Sequence, residues 1–360
     1  MIMTSRMGGE LEISSNLLSS KPQSGIVLDF PKPYHLKLNT GRAALYTILK
    51  EILRRGGRKK CWIPAFICPS VVTVFKALSF EVEYYACGNS LLEPELFDDK
   101  IGEGETLLYA HYFGKKNTPI TNWINSWEKS KSVFIIEDCV QSSLNKNIGV
   151  TGNFSFTSYR KFLPQPDGAY LFSDFPIEIG LAPSDETFIS SRFLGKLLRT
   201  FSDQDSLYLN LFSQSEEIID HDLTPREISW ISTYLMNRVD IPEIAKRRQH
   251  NWKALLKLIQ QSPRASHVLS PLFPGLDEEE IPLGFPVKVF DGKRDSLRRF
   301  LSSQKIYCPV HWSLAHLNDV PVWNREKNLS QSILTIPIDQ RLDENHMKTI
   351  VKAIESFTEG

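Results

Sequence analysis

The chain has 360 residues, with 42 basic and 42 acidic side chains and therefore no formal net charge. That length favours two domains over one, and 41% hydrophobic with 23% charged residues is the balance of a globular protein, not of a disordered chain. A neutral chain lacks the broad positive field of a non-specific nucleic-acid binder, and no run approaches the ~20 apolar residues that span a bilayer, so neither nucleic acid nor a membrane is expected as a partner.

Residues 1–25 begin MIMTSRMGGELEISSNLLSS and have no continuous apolar core with a small-residue cleavage site behind it. They are predicted to form a poorly ordered, Ser-rich leader on a cytoplasmic protein. The five cysteines (Cys61, Cys68, Cys87, Cys139, Cys308) are odd in number, widely spread and never in a C-x-x-C pair. Neither a disulfide framework nor a metal site is expected from them.

From residue 26, short β-rich runs alternate with helical stretches. GRAALYTILKEILRRGG has helical apolar spacing and ends in Gly56-Gly57, a stop signal. KKCWIPAFICPS is a short apolar run broken by Pro64 and Pro69. VVTVFKAL reads as a helix, FEVEYYAC as a strand, LLYAHYF as a strand ending at Gly114, and ITNWINSWEKS as an amphipathic helix. In that last segment Trp123 and Trp127 are four apart, which is core spacing. SVFIIEDCV is continuously apolar, as a strand buried on both faces would be. FSFTSYRKF and GAYLFSD read as two further strands joined by a Pro/Gly-rich turn. Strand and helix at this rhythm predict an α/β domain over residues 26–240 with a mostly parallel sheet, whose ligands bind at the carboxyl ends of the strands.

Residues 180–240 read as mainly helical. After a boundary near Pro242, IAKRRQHNWKALLKLI is a long amphipathic helix on which Lys246, Arg247 and Arg248 read as a solvated face. PLGFPVKVF is a strand, and KRDSLRRFLSSQ and NHMKTIVKAIESF are helices. Residues 241–360 are therefore expected to form a smaller α+β domain.

The residues with chemical potential lie at the predicted strand ends. Lys161 lies between an apolar run and a Pro/Gly turn. Held in a cleft, its amine would have a lowered pKa and could condense with a carbonyl such as that of pyridoxal phosphate; the plainer alternative is a solvated lysine at a strand end. Asp138 closes a strongly apolar strand, where a carboxylate is costly without a partner. The pyridine nitrogen of pyridoxal phosphate offers one, since that ring must stay protonated to act as an electron sink; the alternative is a helix N-cap. Glu137 points to the opposite face by alternation and receives no role. Thr40, Gly41 and Arg42 open a helix and read either as a phosphate cradle or as a plain capped start. Ser158 could reach the same phosphate. Phe66 or Cys68 could lie over a flat ring. His311 and Trp312 in CPVHW either line a pocket mouth or pack. Asp167, before Gly168, reads as turn chemistry.

Taken together and in this order, NTGRAAL, WIPAFICPSVV, YAHYFG, IIEDCVQS, SYRKFLPQPDGAYLFSD, CPVHW and LTIPIDQR resemble the DegT/DnrJ/EryC1/StrS family of aminotransferases from about Leu36 onward. The resemblance implies the fold type I transferase architecture and pyridoxal 5'-phosphate as cofactor. It implies that Lys161 carries the cofactor and moves the proton, that Asp138 faces the pyridine nitrogen and that Gln141 lies beside the ring's phenolic oxygen. Thr40, Gly41 and Arg42 would contact the phosphate, and His111 matches a position near the cofactor pocket; beside the resemblance, His111 and His311 are the candidates for substrate contact. It implies a homodimeric enzyme that moves an amino group, from glutamate, to a keto acceptor such as a nucleotide-linked keto sugar.

Departures from the family pattern fall on the contacts. The serine usual five residues before the lysine is Phe156 here, with Ser155 and Ser158 nearby, and Ser158 is preferred. The stacking aromatic falls on Cys68, with Phe66 as the substitute. The asparagine-x-arginine element that reaches in from a partner subunit is not clear; the nearest segment is HDLTPREIS. Two other readings stand beside the aminotransferase. One is a non-catalytic protein of this fold that senses or scaffolds. The other is a pyridoxamine-dependent sugar dehydratase, which Lys161 disfavours.

Overall fold

The computed structural model describes residues 6–23, 30–88, 90–95, 100–201, 205–314 and 324–358. Eight strands precede residue 174: β1 (Met7–Gly8), β2 (Tyr34–Leu38), β3 (Lys60–Pro64), β4 (Glu81–Tyr85), β5 (Thr106–Ala110), β6 (Phe134–Asp138), β7 (Phe154–Phe156) and β8 (Ala169–Ser173). β2 to β8 form a seven-stranded sheet in the order β2-β8-β7-β6-β5-β3-β4. All neighbours from β4 to β7 pair in parallel, and only β8 runs against the rest. Every residue of β5 and β8 is buried, as helices on both faces of a parallel sheet require.

The helix Gly41–Arg54 shows how sequence dictates its own ends. The Thr40 hydroxyl accepts the Ala43 N–H at 3.1 Å, and Ala44, Leu45, Ile48, Leu49 and Ile52 bury one face at helical spacing. Gly56 takes the left-handed conformation that ends the helix (φ 84°). A Cβ on Gly57 would come within 2.4 Å of Ile52.

Beyond residue 240 lie β9 (Leu269–Pro271), β10 (Phe285–Val289), β11 (Ile306–Tyr307) and β12 (Ile333–Ile336). β12-β10-β9 is an antiparallel sheet, accompanied by the helices Ile241–Gln261, Arg294–Ser303 and Glu344–Glu355. Among the described residues no helix is long and apolar enough to cross a membrane.

Three expectations are corrected. FSFTSYRKF is not one strand: β7 stops at Phe156, and Tyr159–Lys161 is a 3-10 turn whose Tyr159 N–H bonds the Gly168 carbonyl at 3.0 Å. Arg248 is not on a solvated face. It is 1% exposed, and its guanidinium donates to Gln340 at 2.9 Å and to the Pro282 and Leu283 carbonyls at 3.1 and 2.9 Å.

The third correction is the leader. Residues 1–5 and 24–29 lie outside the described residues, but residues 6–23 are packed. β1 pairs in parallel with β11, Met7 opposite Ile306. Met7, Leu11 and Ile13 are buried, and Ser15–Ser19 is a short helix. The reason is complementarity: Glu10 and Glu12 answer a cationic row on the helix Glu186–Phe201. Glu10 bonds Arg192 at 2.5 Å and Lys196 at 2.9 Å, and Glu12 bonds Arg199 at 2.7 Å. The Lys196 side chain has 0% exposure. Deleting the chain through Ile13 would strand that charge, and breaking a buried pair typically costs ~3–5 kcal/mol. A urea melt of the truncated protein should show a clearly lower midpoint; an unchanged midpoint would show that the segment contributes no stability.

Candidate active site

Strand alternation places Glu137 and Asp138 on opposite faces of the sheet, and the two carboxylates have different neighbours. Glu137 accepts from Gly149 N–H at 2.7 Å and Thr151 N–H at 3.0 Å, and lies 2.8 Å from His111 Nε2. The Asn117 N–H donates to His111 Nδ1 at 2.9 Å. Nδ1 is therefore the acceptor and Nε2 carries the proton given to Glu137. These partners outweigh burial and hold the Glu137 carboxyl at about 2. His111, Glu137 and Cys139 place ligand-type atoms within 4.8 Å of one another, but the His111 and Glu137 atoms are already hydrogen-bonded.

Asp138 lies at the carboxyl end of β6. Its carboxylate accepts only the Val140 N–H, at 2.9 Å, among the hydrogen bonds of the described residues. Burial pushes its pKa up to about 6, against the pull of that N–H, His111 and Lys161. A carboxylate in this state calls for a cation.

One cavity of about 280 Å³ collects most of the candidates: Thr40, Gly41, Arg42, Cys68, His111, Asp138, Gln141, Ser158, Lys161 and His311 all line it. The strand ends supply them. Leu38 of β2 leads to the Thr40 cap, Ala110 of β5 to His111, β6 ends in Asp138, and β7 leads to Ser158. Lys161 is exposed within the cavity, not packed, with protein atoms crowded around it on the Arg160 side. Desolvation, and after it the charge of Arg160, lower its pKa.

Gln141 accepts the Phe113 N–H on Oε1 at 2.8 Å, which leaves its NH₂ for the cavity. His311 donates to or accepts from the Thr335 hydroxyl at 2.9 Å. Burial, with the Lys161 charge, depresses its pKa to about 3, so it is neutral at pH 7. Cys68 caps the helix Pro69–Ala77 and touches Ser70 at 3.1 Å. Thr40 spends its hydroxyl on the helix cap. His111 has both nitrogens engaged and offers the cavity only carbon surface.

Phe66 is the candidate that the structure keeps out. It is 0% exposed, and its ring packs 5.6 Å from that of Trp312 and 6.1 Å from that of Tyr112. Trp312, not Phe66, reaches the wall. Asp167, read as turn chemistry, has a further part. It is fully buried and accepts the Ser229 N–H and hydroxyl at 3.0 and 2.6 Å.

Sequence reasoning missed Glu10, Arg160 and Glu216, which also line the cavity. Arg160 adjoins Lys161 and could have been noticed; nothing local marks Glu10 or Glu216. A second chamber of about 430 Å³ adjoins the first, sharing Glu10, Arg160, Lys161, Leu283 and His311 and adding Arg298, Tyr307 and Thr335. Lys161 thus stands at the junction of the two.

The residues present suit a flat, phosphorylated pyridine aldehyde. An amine of lowered pKa and a carboxylate in need of a cation share one wall. Gly41 opens a helix, and a Cβ there would project toward Val140 Cγ2 at 3.6 Å and Ser158 Cβ at 3.7 Å. Its φ is not in the left-handed region, so the glycine keeps space, not conformation, beside free N–H groups.

No family model matches the sequence, and no curated protein matches it either. Solved structures do match. The sugar aminotransferase CalS13 from Micromonospora echinospora superimposes with a TM-score of 0.64 at 16% identity, over 99% of this chain and 100% of that one. The putative sugar aminotransferase Spr1654 from Streptococcus pneumoniae, in its PMP form, gives 0.66 at 13% identity over 98% and 97%. A DegT DnrJ EryC1 StrS aminotransferase from Brucella abortus gives 0.61 at 15% identity over 91% and 87%. At the level of architecture the resemblance read from the motifs is borne out: this chain has the fold of the DegT/DnrJ/EryC1/StrS aminotransferases.

Proposed function

We propose that the protein is a pyridoxal-phosphate-dependent aminotransferase that moves an amino group, from glutamate, to a keto acceptor, with a nucleotide-linked keto sugar as the candidate acceptor. The observation that carries this reading is the convergence of Lys161, Asp138, Gln141 and the Gly41 helix start on one cavity. When bound, pyridoxal phosphate supplies an aldehyde and a protonated ring that draws electrons from the substrate carbon.

The chain's part is to hold and to move protons. Lys161 Nζ would hold the aldehyde when the cofactor is bound, and the same amine is placed to take up and give back a proton. Its lowered pKa keeps a usable fraction neutral. The Asp138 carboxylate holds the proton on the pyridine nitrogen. The Gln141 NH₂ donates to the ring's phenolic oxygen. The N–H groups of the Gly41 turn, the Ser158 hydroxyl and Arg42 receive the phosphate. Substrate approaches from the second chamber, past neutral His311 and the Arg298 guanidinium.

Purified protein should be yellow, and borohydride should fix the cofactor on Lys161, readable by peptide mass. Mixing with glutamate should bleach the colour. A colourless protein that gains no absorbance with added cofactor would remove the proposal, whereas colour that no amino donor bleaches would favour the non-catalytic reading.

The proposal includes a homodimer. Trp230, Phe201 and Leu209 are 72%, 67% and 53% exposed, apolar side chains that a partner copy would cover. Sedimentation should give twice the 41.2 kDa chain mass, and Trp230→Asp should shift the species toward monomer. A wild-type chain that sediments as a monomer at all concentrations would exclude the dimer. A cytoplasmic location belongs to the same proposal and rests on the unpaired thiols.

A further inference from the structure

The cavity wall carries an ion cluster that neither the ring nor the amine explains. Glu216, on the helix Asp205–His221, lies 2.9 Å from Arg160 Nη1 and 4.0 Å from Arg42 Nη1, and it also pairs with Arg192 Nη1. Arg42 Nη1 is buried and has no hydrogen-bond partner among the described residues. Arg42 Nη2 pairs with Asp220 at 2.8 Å. Behind this group Arg192 is held a second time, by Glu10 at 2.5 Å, and Glu10 also binds Lys196 at 2.9 Å.

Arg42, Arg160 and Glu216 line the cavity together with Gly41 and Ser158. Two forked cations and a helix start therefore face the space, and their shared counter-ion is a carboxylate borrowed from a distant helix. A phosphate and a carboxylate ask for the same guanidinium donors. They cannot both sit between Arg42 and Arg160 without mutual repulsion. Arg192, in contrast, is not needed by an incoming anion, and it keeps Glu10 whatever Glu216 does.

We propose that Glu216 is a displaceable counter-ion: an entering phosphate takes over Arg42 and Arg160, and Glu216 falls back on Arg192. This deepens the reading of the cavity as a cofactor site and rests on it. It makes Arg160, the residue before the anchoring lysine, a phosphate ligand in place of the missing serine at position 156. It also makes phosphate affinity the outcome of an exchange between two anions.

The test is calorimetric titration of the cofactor-free protein with inorganic phosphate and, separately, with pyridoxal phosphate, for wild type, Glu216→Gln and Arg160→Gln. Glu216→Gln should tighten phosphate binding about tenfold, since the competitor is removed while the donors stay. Arg160→Gln should weaken it by about tenfold or more, since one charged donor is lost. Unchanged or weaker binding by Glu216→Gln overturns the exchange, because Glu216 would then be holding the arginines in place for the ligand. Glu216→Gln should fold, as Arg192 retains Glu10 at 2.5 Å. Should it not, Arg160→Gln decides alone, and undiminished phosphate affinity there overturns the proposal. Borohydride fixation on Lys161 reports on the cofactor reading separately: its failure removes the pyridoxal phosphate, while the inorganic phosphate titration still judges the exchange.

Discussion

Lys161→Ala should abolish transamination, with a loss of at least about 10⁴-fold, equivalent to ~5.5 kcal/mol in the barrier, and borohydride should then fix no cofactor to the chain, as read by mass. The fold should survive. The side chain is open to the cavity, so its removal leaves no packed void, and it takes away a cation whose desolvation and Arg160 neighbour already lower its pKa. The thermal midpoint of the variant should therefore equal or exceed that of the wild type. Turnover near the wild-type rate would sink the assignment of Lys161 as anchor, because no other described residue on the cavity wall brings an amine to the same face as Asp138.

Asp138→Asn should act in opposite directions on activity and on stability. Asparagine keeps the oxygen that accepts the Val140 N–H at 2.9 Å but cannot hold a proton on a pyridine nitrogen. Turnover should fall about 10²–10³-fold, or ~3–4 kcal/mol. The cofactor-free protein should become more stable at neutral pH. The sign follows from linkage. The Asp138 pKa is about 6 in the folded chain against an ordinary 3.8, because of burial. The folded state then binds more protons than the unfolded state between those values, so wild-type stability is greatest below 3.8 and declines as pH rises through 6. Asparagine removes that decline, a gain on the order of 2–3 kcal/mol above pH 7. Melts at pH 7.5 should separate the two proteins, and melts near pH 4 should bring them together. A variant less stable than wild type at pH 7.5 would show that the carboxylate is satisfied in the empty protein.

Both effects concern residues that the sequence marks locally. Asp138 closes a strongly apolar strand, Lys161 precedes a Pro/Gly turn, and Gly41 follows a capping threonine; each has a signature a few residues long, so each could be found without a fold. The mostly parallel character of the sheet was equally visible, because continuous apolar runs alternate with helices; the order of its strands was not. What escaped depends on distance along the chain. Glu10 and Glu216 sit in polar, Ser-rich stretches, and what makes them part of the site is a cationic row on another helix. Arg248 looked like one of three solvated cations; only the carbonyls of Pro282 and Leu283 explain its burial. Phe66 occupied the right place in the motif, yet the backbone after β3 turns its ring into the core, behind Trp312. Helical and strand periodicity report which face is apolar, and they are silent on which distant charge will meet which.

The pairing of Met7 with Ile306 sets an order on biosynthesis. During translation this segment leaves the ribosome about 300 residues before its strand partner, roughly 15–60 s at ordinary elongation rates of ~5–20 residues per second. Until then the acids at positions 10 and 12 can meet Arg192, Lys196 and Arg199 but cannot close the wall against Thr335 and Asp339. The nascent protein therefore holds its large sheet with one side of the second chamber still missing, and a segment made long before its partner is among the last to reach its final place.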